Sequence, residues 1–106
     1  MVTPIRAILK SAARAWGLEP AAHLAGARAV WLAIVGPDLA AHSAPVGVRG
    51  KRLLVGVTHP AAGQEIRLRS GVIIQALARE LGEGAIVEVH PVARRTLDRP
   101  RIRRSS

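Results

Sequence analysis

The residues of this chain that could carry acid–base, nucleophilic or metal chemistry are few and scattered. Its histidines are His23, His42, His59 and His90, and neighbouring ones are at least 17 residues apart, unlike the close spacing of metal-binding pairs. None of its five serines lies in a glycine-flanked nucleophile turn, and it has no cysteine. We therefore expect no enzymatic activity, no metal and no cofactor, and we expect the histidines to be surface or hydrogen-bonded structural residues.

The charge of the chain points instead to a polyanionic partner. Its 106 residues include 16 Lys+Arg and 7 Asp+Glu, a formal net charge of +9, and all but two of the basic residues are arginine. Arginine forks onto phosphate and stacks on bases, and phosphate neutralisation releases counterions. Nucleic acid is the expected partner, whereas a biased coding composition or simple solubility is the alternative explanation of the charge.

The start of the chain resembles neither an export signal nor a membrane span. Arg6 and Lys10 interrupt what would be the apolar part of a signal peptide, and the apolar stretch 21–41 is broken by charges, Gly36 and Pro37. We expect a cytoplasmic protein without a membrane partner and without a small-molecule substrate.

The elements that would position these residues begin with two predicted helices. Thr3 and Pro4 are suited to start the first, which runs to Trp16 before Gly17. Its basic residues, Arg6, Lys10 and Arg14, recur every four positions, which fits either a phosphate track or an ordinary solvated side. The second helix begins at Pro20 and is interrupted at Gly36-Pro37. A short helical turn, 38–42, is expected next.

Strands and a long helix follow in the pattern. Residues 44–48 and 52–57 predict two strands joined around Gly50-Lys51, because Leu53, Val55 and Val57 alternate. A helix is predicted from about Pro60 to Leu81, and a third strand over 85–89. The order α-α-β-β-α-β predicts an α+β fold, a small three-stranded sheet with helices packed on one face.

The last thirteen residues differ in composition from the rest. Residues 94–106 contain six arginines and one aspartate, with Leu97 and Ile102 as the sizeable apolar residues. Such a segment buries too little apolar surface to fold alone. We predict one domain over 1–93 and a disordered basic tail over 94–106.

Four segments carry motifs in a fixed order along the chain. Residues 31–45, WLAIVGPDLAAHSAP, contain a tryptophan, a Val-Gly pair and a His-Ser-x-Pro stretch, and residues 50–58 contain a glycine followed by an alternating strand. Together with residues 64–68 and 77–82, which are similar to the two ends of the family's third helix, these segments resemble the hallmark and hairpin of the DciA family of replicative helicase loaders. The resemblance covers about residues 12–92. It departs at 61–63, Ala-Ala-Gly, where the family usually has a tryptophan, and in a short C-terminal region.

The resemblance implies a KH-like domain without a working KH clamp. The Gly-x-x-Gly of this chain, Gly47-Val48-Arg49-Gly50, falls between two predicted strands, where a hairpin turn is the better explanation. It also implies a loader without ATPase activity that binds DNA and the replicative DNA helicase, and single-stranded DNA is the form we expect. The candidate nucleic-acid-binding residues are Arg49, Lys51, Arg52, Arg67, Arg69, Arg79, Arg94, Arg95, Arg99, Arg101, Arg103 and Arg104. The candidate partner-binding residues are Trp31, Gly36, His42 and Pro45.

Two other functions fit the same residues. KH-like folds often serve RNA, so an RNA-binding module is one alternative. A protein–protein adaptor with incidental charge is the other, and it predicts no nucleic-acid binding at about 0.15 M salt, where exposed charges are well screened. Because both tryptophans lie on the apolar sides of their predicted helices, we expect core packing rather than base stacking from them.

Overall fold

A computed structural model of the protein describes residues 19–97. The predicted first helix, residues 4–16, and the last nine residues lie outside this range. The described elements, in chain order, are α1 (Glu19–Val35), α2 (Pro37–Ala40), β1 (Ser43–Arg49), β2 (Arg52–Val57), α3 (Pro60–Leu68), α4 (Ser70–Leu81) and β3 (Glu88–Ala93). This order confirms the α+β class, with α3 and α4 in place of the one long helix expected.

Gly36 separates the first two described helices. Its φ of 88° and ψ of 163° lie in a region that is essentially restricted to glycine, so the chain can leave α1 and enter α2 within one residue. Pro37 then takes the first position of α2, where its missing N–H costs nothing. The predicted interruption at Gly36-Pro37 is therefore confirmed, and the short helix begins one residue before the predicted turn.

The sheet has the order β1-β2-β3 and is mixed. β1 and β2 form an antiparallel hairpin, and β2 pairs in parallel with β3, so that Leu53 lies beside Val89. The register of the hairpin shifts between Pro45 and Gly47, which leaves Val46 as a bulge. The predicted bounds of β2 are confirmed, whereas β1 is one residue longer at each end than predicted.

The predicted long helix is interrupted at Arg69. The backbone there has φ −97° and ψ 8°, although Arg69 N–H still donates to the Glu65 carbonyl and Ile73 N–H to that of Arg69. The following residues, Ser70 and Gly71, form the kind of Ser/Gly pair at which helices kink. The bend lets α3 pack on β3 while α4 packs on α1.

The third strand begins later than predicted, at Glu88 rather than at residue 85. Gly84, with φ 77°, and the bond from Ala85 N–H to the Gly82 carbonyl hold the preceding residues in a turn. The strand then passes through Pro91, which the sequence pattern had placed beyond it. Proline lacks a donor but is tolerated there because β3 is at the edge of the sheet.

The helices cover one face of the sheet and form the core with it. The largest completely buried side chains come from β2, α3 and α4, and they are Leu53, Val55, Ile66, Ile73 and Leu77. Trp31 of α1 is 4% exposed, so the expectation that it packs in the core is confirmed.

A two-step hydrogen-bond relay fixes Trp31 in that core. Its indole Nε1–H donates to Ser43 Oγ at 3.1 Å, and this buried hydroxyl donates to the Leu39 carbonyl at 2.7 Å. The relay connects α1, α2 and β1, and it gives the buried indole N–H its partner, while the Leu39 carbonyl also accepts from the His42 N–H at 3.1 Å.

We expect Ser43→Ala to lower the free energy of unfolding by about 1–3 kcal/mol, because the buried indole N–H of Trp31 loses its partner. Urea denaturation followed by circular dichroism measures this change. Ser70→Ala is the matched control, since within residues 19–97 the Ser70 hydroxyl has no hydrogen-bond partner. Equal effects of the two substitutions would contradict the role of the relay.

Candidate nucleic-acid interface

The positive charge is divided evenly along the chain. Residues 1–18 contain three basic and no acidic residues, residues 19–97 nine basic and six acidic, and residues 98–106 four basic and one acidic. Each part therefore has a net charge of +3. The two ends together are about a third as long as the described domain, so their net charge per residue is much higher than that of the domain.

The β1–β2 hairpin presents three of the candidate DNA-binding residues. Gly50, with φ 61°, makes the turn, and Arg49, Lys51 and Arg52 are exposed around it. Arg52 Nε lies 3.2 Å from Glu88 Oε1 on β3, so part of its charge is already compensated. Arg49 and Lys51 have no ion pair within residues 19–97, and they are the hairpin cations that are best placed to take phosphate.

The helical arginines differ in how far they are already engaged. Arg69 Nε donates to Glu65 Oε2 at 2.6 Å, and its Nη1 donates to the Val35 carbonyl at 3.3 Å. Arg67, two residues earlier, is exposed and has no such partner among the described residues. Arg79 is exposed on the last turn of α4, near Glu83.

The described part of the C-terminal region lies against the sheet. Arg94 N–H donates to the Val57 carbonyl at 2.9 Å, and the Arg94 side chain passes over Gly56, where an added Cβ would lie 2.9 Å from its Cγ. Arg95 is exposed, and Leu97 reaches the groove beside Pro45. Arg99, Arg101, Arg103 and Arg104 lie outside the described residues, so the disordered tail stays a prediction.

These positions do not form one continuous track within the described domain. The hairpin and Arg94 are at opposite ends of β2, which at six residues is about 20 Å long. Arg69 is beside the end of α1, whereas Arg79 is near the other end of α4, about 15 Å away along the helix. A strand of nucleic acid would have to cross the domain to contact all of them.

The four candidate partner-binding residues fall into two pairs. Trp31 and Pro45 are buried, and they support the surface residues that pack over them. Gly36 and His42 line a groove of about 570 Å³ between α2 and α3, whose floor includes Leu39. This groove is open to solvent and partly apolar.

The same groove contains a histidine contact that spacing along the chain does not reveal. The rings of His42 and His59 lie 4.5 Å apart, edge to face, and His42 Nδ1 is 3.3 Å from Thr58 Oγ1. The two residues meet because the hairpin register pairs Ser43 with Val57. A correct hairpin register is the signal that would have predicted it.

Within residues 19–97, no three histidine, aspartate or glutamate side chains are arranged to bind a metal ion. The described helices also include none that is long and apolar enough to cross a membrane. Because Trp31 is buried, it offers no platform for base stacking.

Residues 4–90 match the family described as Dna[CI] antecedent, DciA. Over 83 residues the chain is 28% identical to a UPF0232 protein of Rhodococcus jostii, a region that is 78% of this chain and 44% of that protein. Over 49 residues it is 41% identical to an uncharacterized protein of Treponema pallidum, covering 46% of this chain and 34% of that one. The chain thus spans less than half the length of these curated relatives. Since the family match covers most of the sequence, and the hallmark at residues 31–45 lies within it, the protein belongs to the DciA family.

Proposed function

We propose that this protein binds DNA with little sequence preference and helps to place the replicative helicase on it during replication. The observation that carries the proposal is the family match over residues 4–90. The protein would act by binding alone, without ATP hydrolysis, metal or cofactor. It would do so in the cytoplasm, where bacterial chromosomes are replicated.

The distribution of charge supports the DNA part of the proposal. The two ends, with +3 each on eighteen and nine residues, have few acidic groups to compete with phosphate. The exposed cations Arg49, Lys51 and Arg67 add contacts on the domain. All of these are contacts to the backbone rather than to base edges, so sequence preference should be weak.

The surface between α2 and α3 supports the helicase part. Its groove has exposed polar rims at His42 and His59 and an apolar floor at Leu39. Arg69, fixed by Glu65 and the Val35 carbonyl, closes one end of it. A groove of this composition suits a protein partner, and it leaves the hairpin and the chain ends free for DNA.

Changing Arg67 or Arg69 to glutamine should affect different properties, mainly DNA binding for Arg67 and mainly stability for Arg69. Arg67→Gln should weaken binding of single-stranded DNA about five-fold at 0.1 M salt, the value expected for one lost phosphate contact, with stability unchanged. Arg69→Gln should weaken DNA binding less but lower the free energy of unfolding by up to about 1 kcal/mol, because its partners lose their bonds. Fluorescence anisotropy and urea denaturation measure the two effects, and the reverse assignment would contradict this interpretation.

The C-terminal arginines predict the salt dependence. Changing the six of them to glutamine should weaken DNA binding and reduce the slope of log K against log salt by up to about 4 for single strands. The six residues are Arg94, Arg95, Arg99, Arg101, Arg103 and Arg104. The variant with six lysines is the matched control, and its slope should remain that of the unchanged protein. If the glutamine variant has an unaltered affinity and slope, the tail does not bind DNA.

The helicase part predicts a complex that can be isolated. The replicative helicase of the same organism should be retained by the immobilised protein, with and without single-stranded DNA. Leu39→Glu would place a charge at a buried core position and disturb folding, so His42→Glu at the exposed rim of the groove is the better test and should weaken retention at least ten-fold. Gln75→Glu, at an exposed position of α4, should not. A protein that binds RNA in preference to DNA, or that never retains the helicase, would contradict the proposal.

A further inference from the structure

The side of α1 that faces away from the core is apolar. Ala25, Ala29, Leu32 and Ala33 are exposed there, and the Leu32 side chain is 60% exposed. On the opposite side, Trp31 and its neighbours are buried in the core. A helix that is mostly apolar on both sides is typical of a position in which both sides are covered. Within residues 19–97, the structure covers one of them.

The exposed side continues into a groove beside the sheet. This groove has a volume of about 550 Å³ and lies between α1 and the edge strand β1. Ala25, Ala29 and Leu32 line it on the helix, and Ala44 and Pro45 line it on the strand. Arg28, which also lines the groove, donates from Nε to the Pro45 carbonyl at 3.0 Å. Its guanidinium is therefore held by the backbone, and the apolar lining stays accessible to an apolar occupant.

The segment that precedes α1 has the length and pattern to cover this surface. Residues 4–16 predict a helix with Ile5, Ile8, Leu9 and Trp16 on one side. Gly17 and Leu18 alone separate it from α1, and a two-residue connection is long enough for two consecutive helices to lie antiparallel. Thirteen helical residues span about 20 Å, which fits beside the roughly 25 Å of α1.

We propose that residues 4–16 pack antiparallel along the outward side of α1. In this arrangement Ile8 and Leu9 face Ala29, and Trp16 is near Ala22. Large side chains then lie opposite small ones, which is the combination that lets two helices approach closely. The apolar side of each helix is buried by the other.

The packing also assigns a place to the N-terminal cations. Arg6, Lys10 and Arg14 are on the polar side of the predicted helix, which would face solvent. Leu97 lines the same groove, so the arginine-rich C-terminal end leaves the domain nearby. If the proposed DNA binding is correct, both highly charged ends contact the same stretch of DNA.

A cysteine pair tests the packing directly, because the natural chain contains no cysteine. Ala12→Cys with Ala25→Cys should form a disulfide within one chain at least ten-fold faster than Ala12→Cys with Ala61→Cys. Ala61 is also exposed but belongs to the groove between α2 and α3. Mass spectrometry and non-reducing electrophoresis at low protein concentration distinguish the products. Equal rates would overturn the proposal, and so would disulfide-linked dimers, which would assign this surface to a second copy.

A substitution without cysteine provides a second test. Ala29→Glu should raise the hydrogen-exchange rate of residues 4–16 at least ten-fold, because the charge faces the buried apolar side. Gln75→Glu, at an exposed position of α4, is the matched control and should leave those rates unchanged. Equal exchange in all three proteins would overturn the packing. Neither test contains DNA or helicase, so their failure is distinct from a failure of the proposed function.

Discussion

The buried indole of Trp31 is the group on which the packing of the domain depends most. The chain has no phenylalanine or tyrosine, and Trp31 is the single large ring in its described core. Burying a ring with a polar N–H requires a partner, which Ser43 provides while bonding onward to the Leu39 carbonyl. The positions of α1, α2 and β1 relative to one another follow from this relay. The groove between α2 and α3 and the hairpin both depend on those positions.

Local signals in the sequence predicted the elements around this relay. Gly36-Pro37 ends one helix and begins another, and the alternation of Leu53, Val55 and Val57 predicts β2, because backbone restrictions and side-chain periodicity act within a few residues. The errors have non-local causes. The bend at Arg69 allows α3 and α4 to pack on different partners, and β3 begins where pairing with β2 becomes possible, at Glu88.

The candidate site likewise has features that local sequence signals predict and features that depend on the tertiary structure. The types of residue that could contact phosphate are evident from composition, and the ion pair between Glu65 and Arg69 could have been predicted from its i, i+4 spacing. The pairing of Arg52 with Glu88 could not, because it depends on the parallel register of β2 and β3. The separation of the hairpin from Arg94 along β2 likewise becomes evident once the sheet is known.

In the proposed function, the ends of the chain carry most of the DNA binding and the folded domain binds the partner. The most direct test is the occupancy of the replicative helicase on single-stranded DNA, measured at fixed helicase concentration with this protein and with its variant lacking the six C-terminal arginines. The account predicts that the unchanged protein raises the occupancy and that the variant, which still binds the helicase, raises it much less. An occupancy that neither protein changes, although the helicase is bound, would contradict the account.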